Sequence, residues 1–107
     1  MASALILGFT GIGGDEYASV NRELGIDMHS GSGNWPDGLI THAAGPTEDG
    51  GWLVTEVWES RAAQAAFMND RLGPALHRGG VTSPPSRVEW VDLVAFHTPG
   101  VGAAATA

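Results

Sequence analysis

The feature that most constrains this chain is a strand that is apolar on both sides. In the run from Trp52 to Glu59, Trp52, Val54 and Trp58 fall on one parity and Leu53 and Val57 on the other. Successive side chains of a strand point to opposite faces of its sheet, so a strand written this way has two surfaces to bury and needs a cover on each. The run from Ser3 to Phe9 is apolar at nearly every position and makes the same demand. Any fold for this chain has to say what lies on each side of its sheet.

The rest of the chain supplies few covers. Asp15 reads as a helix cap, followed by Tyr17, Val20 and Leu24 at helical spacing, with Glu16, Asn21, Arg22 and Glu23 on the polar side and Gly25 as the stop. Ile26 to Gly38 is a long Gly- and Pro-containing loop carrying Met28, His29 and Trp35. Leu39–Ala44 and Trp52–Glu59 form a hairpin around the turn Gly45–Gly51. Ser60 caps an alanine-rich helix from Arg61 to Leu72, with Ala63, Phe67, Met68 and Leu72 turned inward. Gly73-Pro74 is expected to break it, with a short helix running on to Gly79-Gly80. After a Pro-rich connection, Arg87 to His97 reads as the fourth strand.

The order is β-α-β-β-α-β, the ferredoxin-like arrangement, which places both helices on one face of an antiparallel sheet. The expected class is therefore α+β, with one domain over 1–98 and a loose Gly/Ala/Thr tail over 99–107. The helices cover one sheet face and nothing remains for the other. A second copy related by two-fold symmetry is the economical cover, so a homodimer is expected.

Bulk properties narrow the partners. A formal charge of −7 over 107 residues argues against nucleic acid, whose phosphates an acidic surface repels. No apolar run is long enough to cross a bilayer, and the first residues lack the basic start and apolar stretch of a signal peptide. With no cysteine, disulfides and thiolate chemistry are excluded, and a cytoplasmic setting fits. The four histidines lie far apart without a ligand spacing, so no metal site is expected. Gly11-Ile12-Gly13-Gly14 lacks the Lys-Ser/Thr ending of a phosphate loop. Nothing calls for a flavin, a nicotinamide or another cofactor.

Val57-Trp58-Glu59-Ser60, leading into a helix that holds Phe67 and ends in Arg71-Leu72-Gly73-Pro74-Ala75-Leu76, resembles the dimeric α+β-barrel superfamily, which includes the antibiotic-biosynthesis monooxygenases. The resemblance covers roughly residues 3 to 97. It implies a dimeric α+β barrel with a pocket for a small organic molecule. It does not choose among the superfamily's oxygenases, cyclases, isomerases, decarboxylases and heme proteins. The heme-degrading members have an aromatic residue and an iron-ligating His on this second helix, where Phe67 and His77 stand here. They use Trp at the first position and an Asn on strand one, and this chain has neither.

His42 and Glu56 form the candidate catalytic pair. With the hairpin turn between Pro46 and Gly50, His42 is expected near Val54, with Glu56 diagonal to it on the same face. That face, with Ile40, Trp52, Val54 and Trp58, is expected to turn away from the helices and line a chamber closed by the second copy. Titratable groups among tryptophans suit proton transfer, with His42 as general base and Glu56 orienting it. The same two residues could equally be a structural hydrogen bond across a dimer interface. Trp35, Tyr17 and Phe67 complete the expected lining of a hydrophobic, aromatic or polyketide-like ligand site. Trp52 and Trp58 serve as well for core, and Tyr17 as well for a half-buried helix residue. The expected function is proton abstraction of the cofactor-free monooxygenase or cyclase/isomerase type. The alternatives are a non-catalytic ligand-binding or stress-related dimer module, or a heme protein using His77.

Overall fold

A computed structural model describes residues 2–97. The domain boundary at 98 and the tail beyond it lie outside the described residues. The strands are β1 (Ser3–Phe9), β2 (Leu39–Pro46), β3 (Trp52–Trp58) and β4 (Arg87–Asp92). They form one antiparallel sheet in the order β2-β3-β1-β4. Helix α1 (Gly14–Leu24) follows β1, and α2 (Arg61–Phe67) and α3 (Gly73–Arg78) follow β3. This is the ferredoxin-like topology expected from the element order.

Local chemistry sets the helix ends. Ser60 Oγ accepts the Ala63 N–H at 3.1 Å and starts α2. Gly25, in the left-handed region at φ 78°, stops α1. Asp15 is not the cap of α1. Gly13 holds that place, and its N–H is taken by Glu16 Oε1 at 3.3 Å, leaving Asp15 inside the first turn, where an acidic side chain still favours the helix dipole.

Gly73-Pro74 does not break the second helical stretch. A π-helical turn over Met68–Leu72 joins α2 to α3, and the Gly73 N–H reaches back five residues to the Met68 carbonyl. Proline has no N–H and its ring presses on the carbonyl four residues earlier, so one widened turn lets the helix pass through it. Gly73 suits that turn, because a Cβ there would stand 3.0 Å from the Met68 oxygen.

Strand β4 ends at Asp92 rather than at His97. Its neighbour β1 begins at Ser3, paired with Asp92. One more bond, Leu93 N–H to the Ala2 carbonyl, closes the ladder, and beyond it no strand among the described residues is adjacent to pair with.

The core lies between sheet and helices. Leu5, Trp58 and Ala75 are almost wholly enclosed, joined by Val20, Leu24, Ile26, Phe67 and Val81. In the β1–β3 register Leu5 stands opposite Glu56, Leu7 opposite Val54 and Phe9 opposite Trp52. This parity faces the helices. The other parity, with Ala4, Ile6, Leu53 and Val57, is the open face.

Candidate active site

The helix-facing side of the sheet does not pack solid against the helices. A cavity of about 500 Å³ remains there, lined from β1 by Leu7 and Phe9 and from α1 by Tyr17, Val20, Asn21 and Leu24. Strands β2 and β3 contribute Leu39, His42, Trp52, Val54 and Glu56. Trp35 from the long loop, Phe67, Met68 and His77 complete much of the wall.

His42 and Glu56 are direct cross-strand partners. His42 Nδ1 lies 2.8 Å from Glu56 Oε2, both side chains being largely enclosed. The register differs from the expected one by two residues: Ala44, not His42, faces Val54. Pairing continues to Pro46–Trp52, so the loop shrinks to Thr47–Gly51. A shift of two keeps parity, and the pair therefore survives it.

Two further groups complete the arrangement. Trp58 Nε1–H donates to Glu56 Oε1 at 3.0 Å, and the Tyr17 hydroxyl meets His42 Nε2 at 2.5 Å. An indole N–H only donates and an ionised carboxylate only accepts. With Glu56 ionised, His42 Nδ1 carries the proton that Oε2 accepts, Nε2 is left as an acceptor, and Tyr17 O–H donates to it. The chain Tyr17–His42–Glu56–Trp58 is then satisfied at every link. Both ring nitrogens of His42 are engaged, so Tyr17 is the group at the cavity end of the chain. Burial raises the Tyr17 pKa above its usual value, the Asn21 amide opposes that rise, and the Glu56 charge adds to it.

The expectation that this face turns away from the helices is overturned. α1 lays Tyr17, Val20 and Leu24 over it, and Trp35 packs 5.1 Å, ring to ring, from His42. The large side chains of this parity need the depth that helices at the sheet surface provide, whereas the smaller open-face residues do not. The chamber is therefore formed within one chain.

Most of the expected lining is brought together: Tyr17, Trp35, Trp52, Val54 and Phe67 all border the cavity with His42 and Glu56. Trp58 does not. It is fully buried, its ring 5.8 Å from Phe67, and it acts on the site through its bond to Glu56. Ile40 is also not on the wall. A bulge between Leu39 and Thr41 makes it the extra residue, so Leu39 takes the cavity side and Ile40 is exposed. The loop with Trp35 is tied down by Arg71, whose guanidinium donates to the Leu24 and Asn34 carbonyls. His29 is exposed in that loop.

His77 borders the cavity from an exposed position on α3. Strand β1 offers Leu5, Leu7 and Phe9 to the helix side, with no amide to serve the heme-degrading arrangement, and the residues present do not fit it. Among the described residues no group of three or more His, Asp or Glu converges as a metal would require, and no helix is long and apolar enough to cross a membrane.

Asn21 was assigned to the polar side of α1 on sequence grounds. It is buried and lines the cavity. The signal was its spacing, four residues after Tyr17 on the same face. The Asn21 amide nitrogen and Trp52 Nε1 are buried without a hydrogen-bond partner among the described residues.

No family model matches the chain, and no curated protein matches it in sequence. Solved structures do. A Chloroflexus aurantiacus protein provisionally assigned as an antibiotic biosynthesis monooxygenase superimposes with a TM-score of 0.65 at 17% identity, over 94% of this chain and 100% of its own. Rv0793 from Mycobacterium tuberculosis gives 0.62 at 16% identity, over 92% and 100%. The NE2512 protein of unknown function from Nitrosomonas europaea gives 0.63 at 21%, over 92% and 95%. The chain has the ferredoxin-like α+β fold of these three proteins. At these identities the likeness concerns the fold alone.

Proposed function

We propose that this α+β-barrel protein is a small-molecule enzyme that removes a proton from a hydrophobic, aromatic or polyketide-like carbon acid held in the cavity. The observation that carries the reading is the enclosed chain Tyr17–His42–Glu56 ending at an apolar chamber. Tyr17 takes the substrate proton as its own passes to His42 Nε2, and Glu56 holds the imidazolium so formed. Trp35, Trp52 and Phe67 keep water away and offer faces for an aromatic ligand. The resulting carbanion then reacts with dioxygen, as in a cofactor-free monooxygenase, or rearranges, as in a cyclase or isomerase. His42, expected from sequence to meet the substrate, becomes the relay behind Tyr17.

The open face supports a homodimer as the working form. Ala4, Ile6, Leu53, Val57 and Val91 make it largely apolar, and Val91 is 39% exposed in the single chain. The cysteine-free composition fits a cytoplasmic setting.

The test is aerobic turnover of tricyclic aromatic carbon acids of the anthrone class, followed by oxygen uptake and product absorbance. Tyr17→Phe and His42→Ala should each lower turnover about 10²- to 10⁴-fold while the protein stays folded. Full activity in both variants removes the proton-transfer reading. Unchanged ligand affinity, with no turnover in the native protein, favours the non-catalytic binding module instead.

A further inference from the structure

We infer that Asn21 is a positioning residue for Tyr17, its side-chain amide N–H held as a donor for the phenol oxygen while that oxygen's proton sits on His42. The inference rests on the reading of Tyr17 as the terminal group of the relay. Helix α1 sets Asn21 four residues beyond Tyr17 on the same face. Asn21 is 6% exposed and borders the cavity. Its amide nitrogen is enclosed and bonds to nothing among the described residues.

Such a group is costly to keep. A buried donor without an acceptor forfeits its hydration and gains nothing in return. Asparagine is also a weaker helix former than leucine, and Val20 and Leu24 flank it as buried apolar residues. Its visible bonds at the helix end, from the Gly25 and Ile26 N–H groups, go to the backbone carbonyl, which any residue would provide. Packing and helix formation both favour leucine here, so the amide is better explained by what it does when the site reacts.

The Tyr17 oxygen, one turn back on the same face of α1 and on the same cavity wall, offers it a use. In the resting arrangement that oxygen spends its hydrogen on His42 and keeps its lone pairs. When the hydrogen moves to Nε2, His42 Nδ1–H stays on Glu56, and the phenolate accepts the Asn21 N–H until it takes the substrate proton. A donor already in place where charge develops needs no reorganisation at that moment. The Asn21 side chain opposes the burial-driven rise in the Tyr17 pKa as a hydrogen-bonding neighbour of the phenol, which places it within reach of that oxygen. The other titratable groups on the cavity wall are His42 from β2, Glu56 from β3 and His77 from α3.

The chain contains one tyrosine, so the near-ultraviolet phenolate absorbance of the whole protein titrates Tyr17 alone, without any substrate. Asn21→Leu should raise the titration midpoint by about one pH unit, while the urea midpoint at neutral pH stays the same or rises. Asn21→Ala, which adds no bulk, should raise the Tyr17 midpoint likewise if leucine is not accommodated. Circular dichroism on the same samples confirms that the fold persists over the titration. An unmoved Tyr17 midpoint in the folded variants overturns the inference, as does a lowered urea midpoint in Asn21→Leu with no titration shift, which marks a structural amide. If Tyr17→Phe keeps full turnover while Asn21→Leu still shifts the titration, the relay falls and the Asn21–Tyr17 contact stands.

Discussion

The two faces of the sheet are built from the same strands and do opposite things. Toward the helices, β1 and β3 present Leu5, Leu7, Phe9, Trp52, Val54, Glu56 and Trp58. These are mostly large, and Leu5 and Trp58 are fully enclosed. Toward the open side the same strands present Ala4, Ile6, Gly8, Leu53, Thr55 and Val57, which are smaller and make a flatter surface. Large side chains on one parity prop the helices away from the sheet and leave a chamber, into which a carboxylate and an imidazole can be set with their partners. Small ones on the other parity leave a surface suited to another sheet at the usual ~10 Å spacing. The difference teaches that chemistry and association are separable here, because the chamber does not need the second copy to close it.

The largest expected effect breaks the helix side. Trp58→Ala removes a fully buried indole and the donor that holds Glu56 Oε1. It should destabilise the fold by about 3–5 kcal/mol in urea unfolding, and a loss under about 1 kcal/mol would show that this face is not the core. Val57→Asp tests the neighbouring position on the other parity. Charge placed in a sheet-to-sheet contact is desolvated without a partner, so sedimentation should show a dimer in the native protein and a monomer in the variant. The monomer should stay folded and keep its cavity chemistry. Loss of the Tyr17 phenolate behaviour on dissociation would mean that the two faces are coupled after all.

How much of this was legible in the sequence follows from what alternation encodes. Period two sorts β3 into Trp52/Val54/Glu56/Trp58 and Leu53/Thr55/Val57, and cross-strand reasoning then brings His42 and Glu56 together. Alternation says nothing about which set meets the helices, since both sets contain apolar residues. Side-chain volume was the available clue, because tryptophans need a deep side. Ile40 shares parity with His42 in the sequence but not in space, since the bulge at Leu39/Thr41 shifts the alternation by one. Asn21 was hidden by residue type, a polar side chain among buried neighbours. Pro74 misled in a different way: its stop signal is real, and a single wide turn absorbs it.

The smallest expected effect sharpens the comparison through pH. Burial is the main cause that raises the Tyr17 pKa above 10.0. The folded protein therefore holds the phenolic proton more tightly than the unfolded chain does. Its stabilising contribution is whole below about pH 10 and is lost as pH rises through the folded value. One proton at most is involved, which limits the slope to about 1.4 kcal/mol per pH unit. The composition makes this loss unusually clean. The chain has one tyrosine, no cysteine and five cationic residues, all arginine, so Tyr17 is the only side chain that ordinarily titrates between roughly pH 9 and 11. Urea unfolding across that range should fall with pH in the native protein and run flat in Tyr17→Phe. On the open face, breaking the exposed Arg87–Glu89 pair with Glu89→Gln should leave the alkaline slope as it was. A slope that survives in Tyr17→Phe would place the alkaline sensitivity outside the cavity and detach the phenol from the enclosed side of the sheet.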